Sequence, residues 1–138
     1  MSKQIKKPMK TDPSSIGQWG EGIAAKYLEN TGYTILARNY HTSQGELDIV
    51  AVAPGARLFC LVFVEVKTRT SQKHGYPEEA VGRKKWHHLQ AAIQSYLESH
   101  PDQTSDYCLD VIAVLGHPHQ GDPQIEHFEN VVMSDERE

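Results

Sequence analysis

The sequence predicts an α/β fold in which a mixed β-sheet carries a helix on each face. Two segments repeat apolar residues every three or four positions, as core-facing helices do. Five shorter runs are rich in β-branched and aromatic residues and are separated by turn-forming sequences. Their order along the chain is one helix, three strands, one helix and two strands. Because a strand-helix-strand crossover pairs its two strands in parallel, whereas short turns pair strands antiparallel, this order gives a mixed sheet.

The first helix is predicted over residues 15–32. Its start fits a capping box from Ser15 to Gln18, and the glycine at its last position suits a left-handed C-terminal cap. Its apolar stripe consists of Ile16, Trp19, Ile23, Ala24, Tyr27 and Leu28. Glu21 borders this stripe. It is therefore either a carboxylate that the helix delivers to the sheet or an exposed acid that pairs with Lys26 or with water.

Three strands of a meander follow, predicted over residues 33–41, 45–53 and 57–69. The third strand is apolar at every position from 58 to 64. An apolar run of this kind is typical of a strand that is covered on both faces. We therefore expect the third strand at the centre of the sheet.

The second half of the chain supplies one helix and two strands. The helix is predicted over residues 83–99, and a proline just beyond it prevents its continuation. Its core-facing stripe consists of Trp86, Leu89, Ile93, Tyr96 and Leu97. Residues 107–116 are predicted as a buried strand and residues 124–132 as an edge strand.

Length and composition indicate one cytoplasmic domain. The chain of 138 residues can bury enough surface for one core, which we place at residues 14–133 between a basic tail (1–13) and a short C-terminal tail (134–138). The net charge of −4 argues against coating nucleic acid by bulk charge. Cys60 and Cys108 lie in apolar runs and predict buried thiols rather than disulfides. No leader or membrane-spanning stretch is recognisable, so no membrane partner is expected.

Charged residues interrupt the apolar hairpin of the second and third strands. A turn centred between residues 55 and 56 places Asp48 opposite Phe63 and makes Glu65 its diagonal neighbour. Since side chains alternate between faces, Asp48, Glu65 and Lys67 then project from the same face. The sequence therefore predicts two carboxylates and a lysine that converge at one end of the hairpin.

Two neighbouring carboxylates at a desolvated sheet end repel each other unless a cation lies between them. Oxygen ligands that leave room for water and phosphate suit Mg²⁺ or Mn²⁺, and such an ion favours phosphodiester hydrolysis. Lys67 is placed to orient the attacking water or to stabilise charge on the phosphate. The alternative is structural: Glu65 and Lys67 form an ion pair at the strand end, and Asp48 caps a loop near Gly45.

Basic residues are concentrated just after this site. Between Lys67 and His88 there are six lysines and arginines against two acids, in a chain that is acidic overall. The loop after the third strand and the first turn of the second helix can hold phosphates, and a solvated helix face is the alternative. The candidate nucleic-acid-binding residues are Lys73, Arg83, Lys84 and Lys85.

Two levels of family resemblance follow from these residues. Asp48, followed after sixteen residues by Glu65-Val66-Lys67, resembles the PD-(D/E)xK nuclease motif. The segments "GQWGEGIAAKYLENTGYTILARNYHTSQGELDIVA", "LVFVEVKTR" and "GYPEEAV", with a lysine shortly before "HHLQAAIQSYL", resemble the YraN family of small bacterial proteins, which are similar to archaeal Holliday-junction resolvases. The resemblance covers roughly residues 15–132. It implies a restriction-endonuclease-like αβββαβ core.

The resemblance also implies roles for individual residues. It makes Glu21 a catalytic carboxylate, Asp48 and Glu65 metal ligands, Lys67 the catalytic lysine, Lys85 a backbone contact and Glu46 an assisting acid. In the register given above, Glu46 lies directly opposite Glu65 and on the same face, so it is either a fourth acid at the site or the solvent-side neighbour of the site. The chain departs from the family after its second helix, where the family commonly reads Arg-Phe-Asp and this chain reads Cys108-Leu109-Asp110.

The function expected from these residues is that of an Mg²⁺- or Mn²⁺-dependent endonuclease that cuts DNA, either branched or single-stranded. Related junction-cutting enzymes are homodimers, because two strands are cut symmetrically, so a homodimer is expected here too. The alternative is a catalytically silent module that binds nucleic acid or protein and keeps the acids for structural reasons. A scaffold without affinity for nucleic acid is a third reading, and salt-dependent DNA binding would exclude it.

Overall fold

The computed structural model describes residues 13–55, 60–70, 83–103 and 106–132. Its elements are α1 (Pro13–Asn30), β1 (Thr34–Thr42), β2 (Gly45–Val52), β3 (Leu61–Arg69), α2 (Arg83–Ser99), β4 (Tyr107–Leu115) and β5 (Gln124–Phe128). This confirms the predicted order and the α/β class, and the arrangement is consistent with a restriction-endonuclease-like core. The two predicted tails lie outside the described residues, apart from Pro13.

The five strands form one mixed sheet in the order β1-β2-β3-β4-β5. β3 pairs in parallel with β4, and the other neighbours are antiparallel. The parallel pair is the one that α2 connects, as expected for a strand-helix-strand crossover. β3 is central and β5 lies at an edge, which confirms both predictions.

The sheet is covered on both faces, and β3 contributes to both cores. Leu61 and Phe63 pack on the α2 side, whereas Val62 and Val64 pack on the α1 side. All four are buried. The consecutive apolar positions of this strand therefore have the cause inferred from the sequence, since each alternate residue enters a different core.

The two ends of α1 differ in how well the sequence predicted them. Gly32 has φ 100°, and the N–H of Tyr33 donates to the carbonyl of Leu28 at 2.9 Å while the N–H of Gly32 donates to that of Glu29 at 3.1 Å. This is a Schellman cap, so the predicted glycine terminator is confirmed although the last helical residue is Asn30. The predicted start was two residues late, because Pro13 lacks an N–H and its fixed φ suits the first helical turn.

The last strand is shorter than predicted. β5 ends at Phe128 instead of extending to residue 132. Beyond it, Asn130 has φ 55°, and its N–H donates to Oδ1 of Asp110 at 2.9 Å. Asp110 is buried in β4 and needs partners, so its carboxylate draws the chain out of the extended conformation.

Both cysteines are free thiols, as the sequence predicted, but they are partly rather than fully buried. Among the described residues no helix combines the length and the apolar character needed to cross a bilayer.

Candidate functional site

The site begins where β2 and β3 separate. Their pairing runs from Val52–Leu61 to Ile49–Val64 and stops there. Continued by one step, this register places Asp48 beside Glu65, but the two strands do not pair at that position. Instead, Oδ2 of Asp48 accepts the N–H of Val66 at 2.8 Å. The Asp48 side chain thus takes the place of a backbone partner and fills the opening between the strands.

The predicted register was wrong by two residues. Phe63 pairs with Val50, and not with Asp48. The N–H of Ala53 donates to the carbonyl of Cys60 at 3.3 Å, whereas the predicted register placed residue 58 opposite Ala53. A shift of two residues does not by itself change the face on which a side chain lies. It changes Glu65 from a diagonal neighbour of Asp48 to its direct neighbour.

A local irregularity turns Asp48 toward β3. Leu47 and Val50 both pack in the core on the α2 side, although residues three apart in a regular strand face opposite sides. The flanking pairs of the β1–β2 ladder place Asn39 across from Asp48, and Asn39 has φ 51°. The alternation of faces is therefore interrupted at Asp48, whose carboxylate enters neither core.

Glu65 is the most deeply buried acid of the site, with 3% of its surface exposed. Two lysines neutralise it: Nζ of Lys67 lies 3.5 Å from Oε2 of Glu65, and Nζ of Lys85 lies 3.0 Å from the same oxygen. Burial opposes the charge of Lys85, but the attraction and hydrogen bond of Glu65, together with the charges of Asp48 and Glu46, outweigh burial and raise the pKa of Lys85. The ion pair between Glu65 and Lys67 that the structural alternative required is present. Its second element is not, because Asp48 binds β3 rather than capping the loop near Gly45.

A glycine of α1 brings the third acid to the sheet. A Cβ on the buried Gly20 would overlap Oγ1 of Thr68 on β3, so only a glycine allows the helix to lie this close. The next residue, Glu21, then lines the same cleft as Asp48 and Glu65. Burial raises the pKa of Glu21 and the negative charge of Glu46 adds to the increase, whereas Arg38 and a hydrogen bond from Asn39 oppose it.

These residues line a cleft of about 720 Å³. One wall is formed by α1 and the other by the end of β3, with the side chain of Lys85 reaching in from α2. Its lining residues are Ile16, Gly17, Glu21, Asp48, Glu65, Val66, Lys67, Thr68, Arg69, Thr70 and Lys85. The four candidate catalytic residues named from the sequence, Glu21, Asp48, Glu65 and Lys67, therefore meet in one cleft.

The pKa of Asp48 shows how strongly negative charge is concentrated here. It is raised from 3.8 to about 7. Burial is the main cause, followed by the charge of Glu65 and, more weakly, that of Glu21. The hydrogen bond from Val66 and the charge of Lys85 lower it without offsetting these effects. A cation beside Asp48 would relieve this repulsion.

The donor set fits a hard divalent ion. Within the described parts of the chain, no three acidic, histidine or cysteine side chains are grouped closely enough to hold an ion by themselves. Asp48 and Glu65 remain as a pair of carboxylates. Mg²⁺ is commonly bound by one or two carboxylates while waters and substrate phosphates complete its coordination. The predicted pair of ligands therefore fits Mg²⁺ or Mn²⁺ in a site that a substrate completes.

The predicted basic residues fall into three groups. Lys85, half-exposed in the first turn of α2, contacts Glu65 inside the cleft. Lys84 is exposed on the same turn. Lys73 and the side chain of Arg83 lie outside the described residues.

Glu46 does not lie opposite Glu65 as expected. It pairs with His41 of β1, and its Oε2 lies 3.5 Å from Nε2 of that histidine. Its half-exposed side chain lines a smaller cavity of about 160 Å³ that also contains Asp48 and Lys85. Glu46 is thus the solvent-side neighbour of the acid cluster.

Asp110, at the point where the chain departs from the family pattern, does not line the cleft. Its Oδ2 lies 2.7 Å from Nε2 of His127, whose Nδ1 lies 2.9 Å from the hydroxyl of Tyr27. Sγ of Cys108 donates to Oδ1 of Asp110 at 3.7 Å. This buried network ties α1 to the edge of the sheet.

The sequence did not predict the residues that line the cleft beside the acids and lysines. These residues are Ile16 and Gly17 of α1 and the segment Thr68, Arg69 and Thr70. A signal was present for Gly17, since it precedes Glu21 by one helical turn and thus shares its face.

The acids and lysines of the cleft lie in the part of the chain that matches a known family. The family model described as "Uncharacterised protein family UPF0102" matches residues 20–114, a span that contains the three acids and both lysines of the cleft. The chain belongs to the UPF0102 family. This confirms the family resemblance inferred from the sequence.

UPF0102 relatives match over nearly their full length. The UPF0102 protein of Syntrophotalea carbinolica is 47% identical over 115 residues, which cover 83% of this chain and 88% of the relative. That of Syntrophomonas wolfei is 44% identical over 115 residues, covering 83% and 95%. That of Bifidobacterium longum is 40% identical over 120 residues, covering 86% and 93%. The similarity to these three relatives thus extends over most of this chain.

Proposed function

We propose that the protein is an Mg²⁺- or Mn²⁺-dependent endonuclease that hydrolyses phosphodiester bonds in DNA. The observation that carries the proposal is the cleft in which Asp48 and Glu65 adjoin, with Lys67 beside them and Glu21 on the facing helix. Two carboxylates whose charges repel, one of them with its pKa raised to about 7, are a costly arrangement unless a cation is bound there.

In this proposal Asp48 and Glu65 hold the ion. When bound, the ion polarises the scissile phosphate and lowers the pKa of its water. The chain supplies the positioning: the Val66 N–H fixes the Asp48 carboxylate, and Lys67 contacts that of Glu65. Lys67 is largely buried, with 15% of its side chain exposed, so its ammonium group stays in the cleft to orient water or stabilise charge on the phosphate.

Branched or single-stranded DNA is the proposed substrate, and a homodimer is the proposed assembly. Lys85 lines the cleft and Lys84 is exposed next to it in the sequence, so both can supply cationic contacts for phosphates. Symmetric cutting of a branched substrate needs two such sites, which a dimer provides. Size-exclusion chromatography with light scattering, with and without a four-way junction, tests the assembly.

One observation favours a second candidate, a catalytically silent binding module. Glu65 already has two lysine partners within 3.5 Å, so its buried charge is satisfied without an ion. In that case the acids and lysines are a structural ion-pair network, and the cleft or another surface binds nucleic acid or protein without cutting.

The two candidates are separated by a cleavage assay. Labelled single-stranded, duplex and four-way-junction DNA are incubated with the parent and with Asp48→Asn in Mn²⁺, Mg²⁺ or EDTA. Asparagine keeps an acceptor for the Val66 N–H but loses the charge, so metal-dependent nicking by the parent should disappear in the variant. Glu46→Gln is the matched control, since it removes a nearby acid that pairs with His41. A parent that binds DNA but cuts none of the substrates supports the binding module.

Lys67→Ala separates metal binding from chemistry. Lys67 is assigned to the reacting phosphate and water rather than to the metal, so calorimetric Mn²⁺ binding should be nearly retained while cleavage is abolished. The control is Lys84→Ala. Because Lys84 is exposed, this variant should keep most of the cleavage activity. Equal cleavage by Lys67→Ala and the parent would refute the role of Lys67.

A further inference from the structure

Helix α1 contains three glycines, Gly17, Gly20 and Gly22, in positions where glycine destabilises a helix relative to alanine. Gly20 has a packing reason, the contact with Thr68. At Gly17 and Gly22 an added Cβ would meet nothing within 4 Å. Internal packing therefore accounts for only one of the three.

The two remaining glycines differ in where they point. Gly17 lines the cleft, whereas Gly22 is not among its lining residues. Gly17 precedes Glu21 by four residues, so the two share a helix face. Gly22 follows Gly17 by five residues, which at 3.6 residues per turn directs it about 140° away. Open space at Gly17 thus belongs to the cleft, and open space at Gly22 faces elsewhere.

The cleft around Gly17 has the charge pattern expected for a polyanion. From Pro13 to Gly20, α1 carries no acidic residue. The facing wall continues from Lys67 through Thr68, Arg69 and Thr70, which supply two cations and two hydroxyl groups. Lysine, arginine and threonine side chains are frequent partners of DNA phosphates. A strand whose scissile phosphate lies at the acids can therefore continue between this wall and Gly17.

We propose that Gly17 is a substrate-positioning residue, at which the sugar-phosphate backbone of the bound DNA strand passes against α1 one turn before Glu21. The inference rests on the proposed function in that it assigns DNA to the cleft. It adds where the strand runs and which residue limits its approach. The missing side chain lets the strand lie close to the helix backbone, facing Arg69 and Thr70 across the cleft.

The test compares Gly17→Ala with Gly22→Ala. Fluorescence anisotropy measures binding of a labelled single-stranded oligonucleotide and of a labelled four-way junction, with Ca²⁺ in place of Mg²⁺ to limit cleavage. Both variants should raise the Tm by several degrees, because both replace an unpacked helical glycine by alanine. Only Gly17→Ala should weaken binding, by about tenfold. Gly17→Leu should weaken it further while Gly22→Leu leaves it unchanged.

A selective loss of binding in a protein of higher Tm cannot come from unfolding, so that result would support the assignment. Equal Kd values for the Gly17 and Gly22 variants would overturn it, as would a parent that binds neither probe. The nuclease proposal fails by a different measurement, the absence of metal-dependent cleavage by the parent. A parent that binds but does not cut, with binding still sensitive to Gly17, would retain the strand path and reject the chemistry.

Discussion

Several features of the site act on the single residue Asp48. Its carboxylate is held by the Val66 N–H, lies at the end of a β-ladder and adjoins the charge of Glu65. Burial and that charge raise its pKa to about 7, whereas an unfolded chain would leave it near 3.8. A raised pKa means that folding makes ionisation of Asp48 unfavourable.

The pH dependence of stability follows from this difference. The contribution of Asp48 is fully favourable below about pH 4 and is lost as the pH rises through about 7, because the metal-free native state then holds an ionised, repelled carboxylate. Asp48→Asn should therefore stabilise the metal-free protein by at least about 1 kcal/mol at pH 8 and much less at pH 5. Urea unfolding in EDTA at the two pH values measures the difference.

Ionisation of Asp48 destabilises the metal-free protein but favours metal binding. The ion requires the ionised carboxylate, so calorimetric Mn²⁺ affinity of the parent should fall as the pH drops below 7, with proton release on binding. Glu46→Gln is the matched control, as its half-exposed acid pairs with His41. If Asp48→Asn changes the free energy of unfolding equally at pH 5 and pH 8, the Asp48 carboxylate is not under the repulsion that raises its pKa.

At the scale of elements, the sequence predicted what periodicity controls and missed what single contacts control. The stripes of α1 and α2 and the five strand-like runs predicted all seven elements, and the apolar run of β3 predicted that both faces are covered. The β2–β3 register was missed by two residues because the length of a turn is not encoded in periodicity. The end of β5 was missed because it depends on a hydrogen bond between Asn130 and Asp110.

The position of α1 depends on the contact between Gly20 and Thr68. Gly20→Ala should lower stability by roughly 1–3 kcal/mol through overpacking, despite the better helix propensity of alanine. The helix must also move away from β3, which withdraws Glu21 from the cleft. The Tm measured by thermal unfolding should therefore fall, and the rate of Mn²⁺-dependent cleavage should decrease.

Gly22→Ala provides the control in the same helix, since it adds a methyl group where nothing lies within 4 Å. It should raise stability by up to about 1 kcal/mol and leave cleavage intact. Combining Gly20→Ala with Thr68→Ala should recover part of the lost stability, because the overlapping hydroxyl and methyl groups are removed. A Gly20→Ala variant as stable as Gly22→Ala would show that α1 does not need this close approach.

At the scale of the whole molecule, charge is distributed unevenly. The chain has a net charge of −4, yet Lys67, Arg69 and Lys85 line the cleft that also contains Glu21, Asp48 and Glu65. The sequence indicated this concentration and the convergence of Asp48, Glu65 and Lys67, because the spacing of residues on one strand pair determines both. It did not indicate that Lys85 reaches Glu65, since that contact joins a helix to a strand twenty residues earlier in the sequence.

Because Lys85 contacts Glu65, its contribution to the salt dependence of DNA binding should depend on whether metal is bound. Without metal, Lys85 is occupied by Glu65, so replacing Lys84 and Lys85 by glutamine should remove about one phosphate contact and reduce the salt slope for single-stranded DNA by about 0.7. With Ca²⁺ on the acids, Lys85 is released toward the substrate, and the same double variant should reduce the slope by about 1.4. Lys26→Gln, which alters an exposed lysine elsewhere on α1, should change neither slope. Equal slopes for parent and double variant under both conditions would place the DNA on another surface.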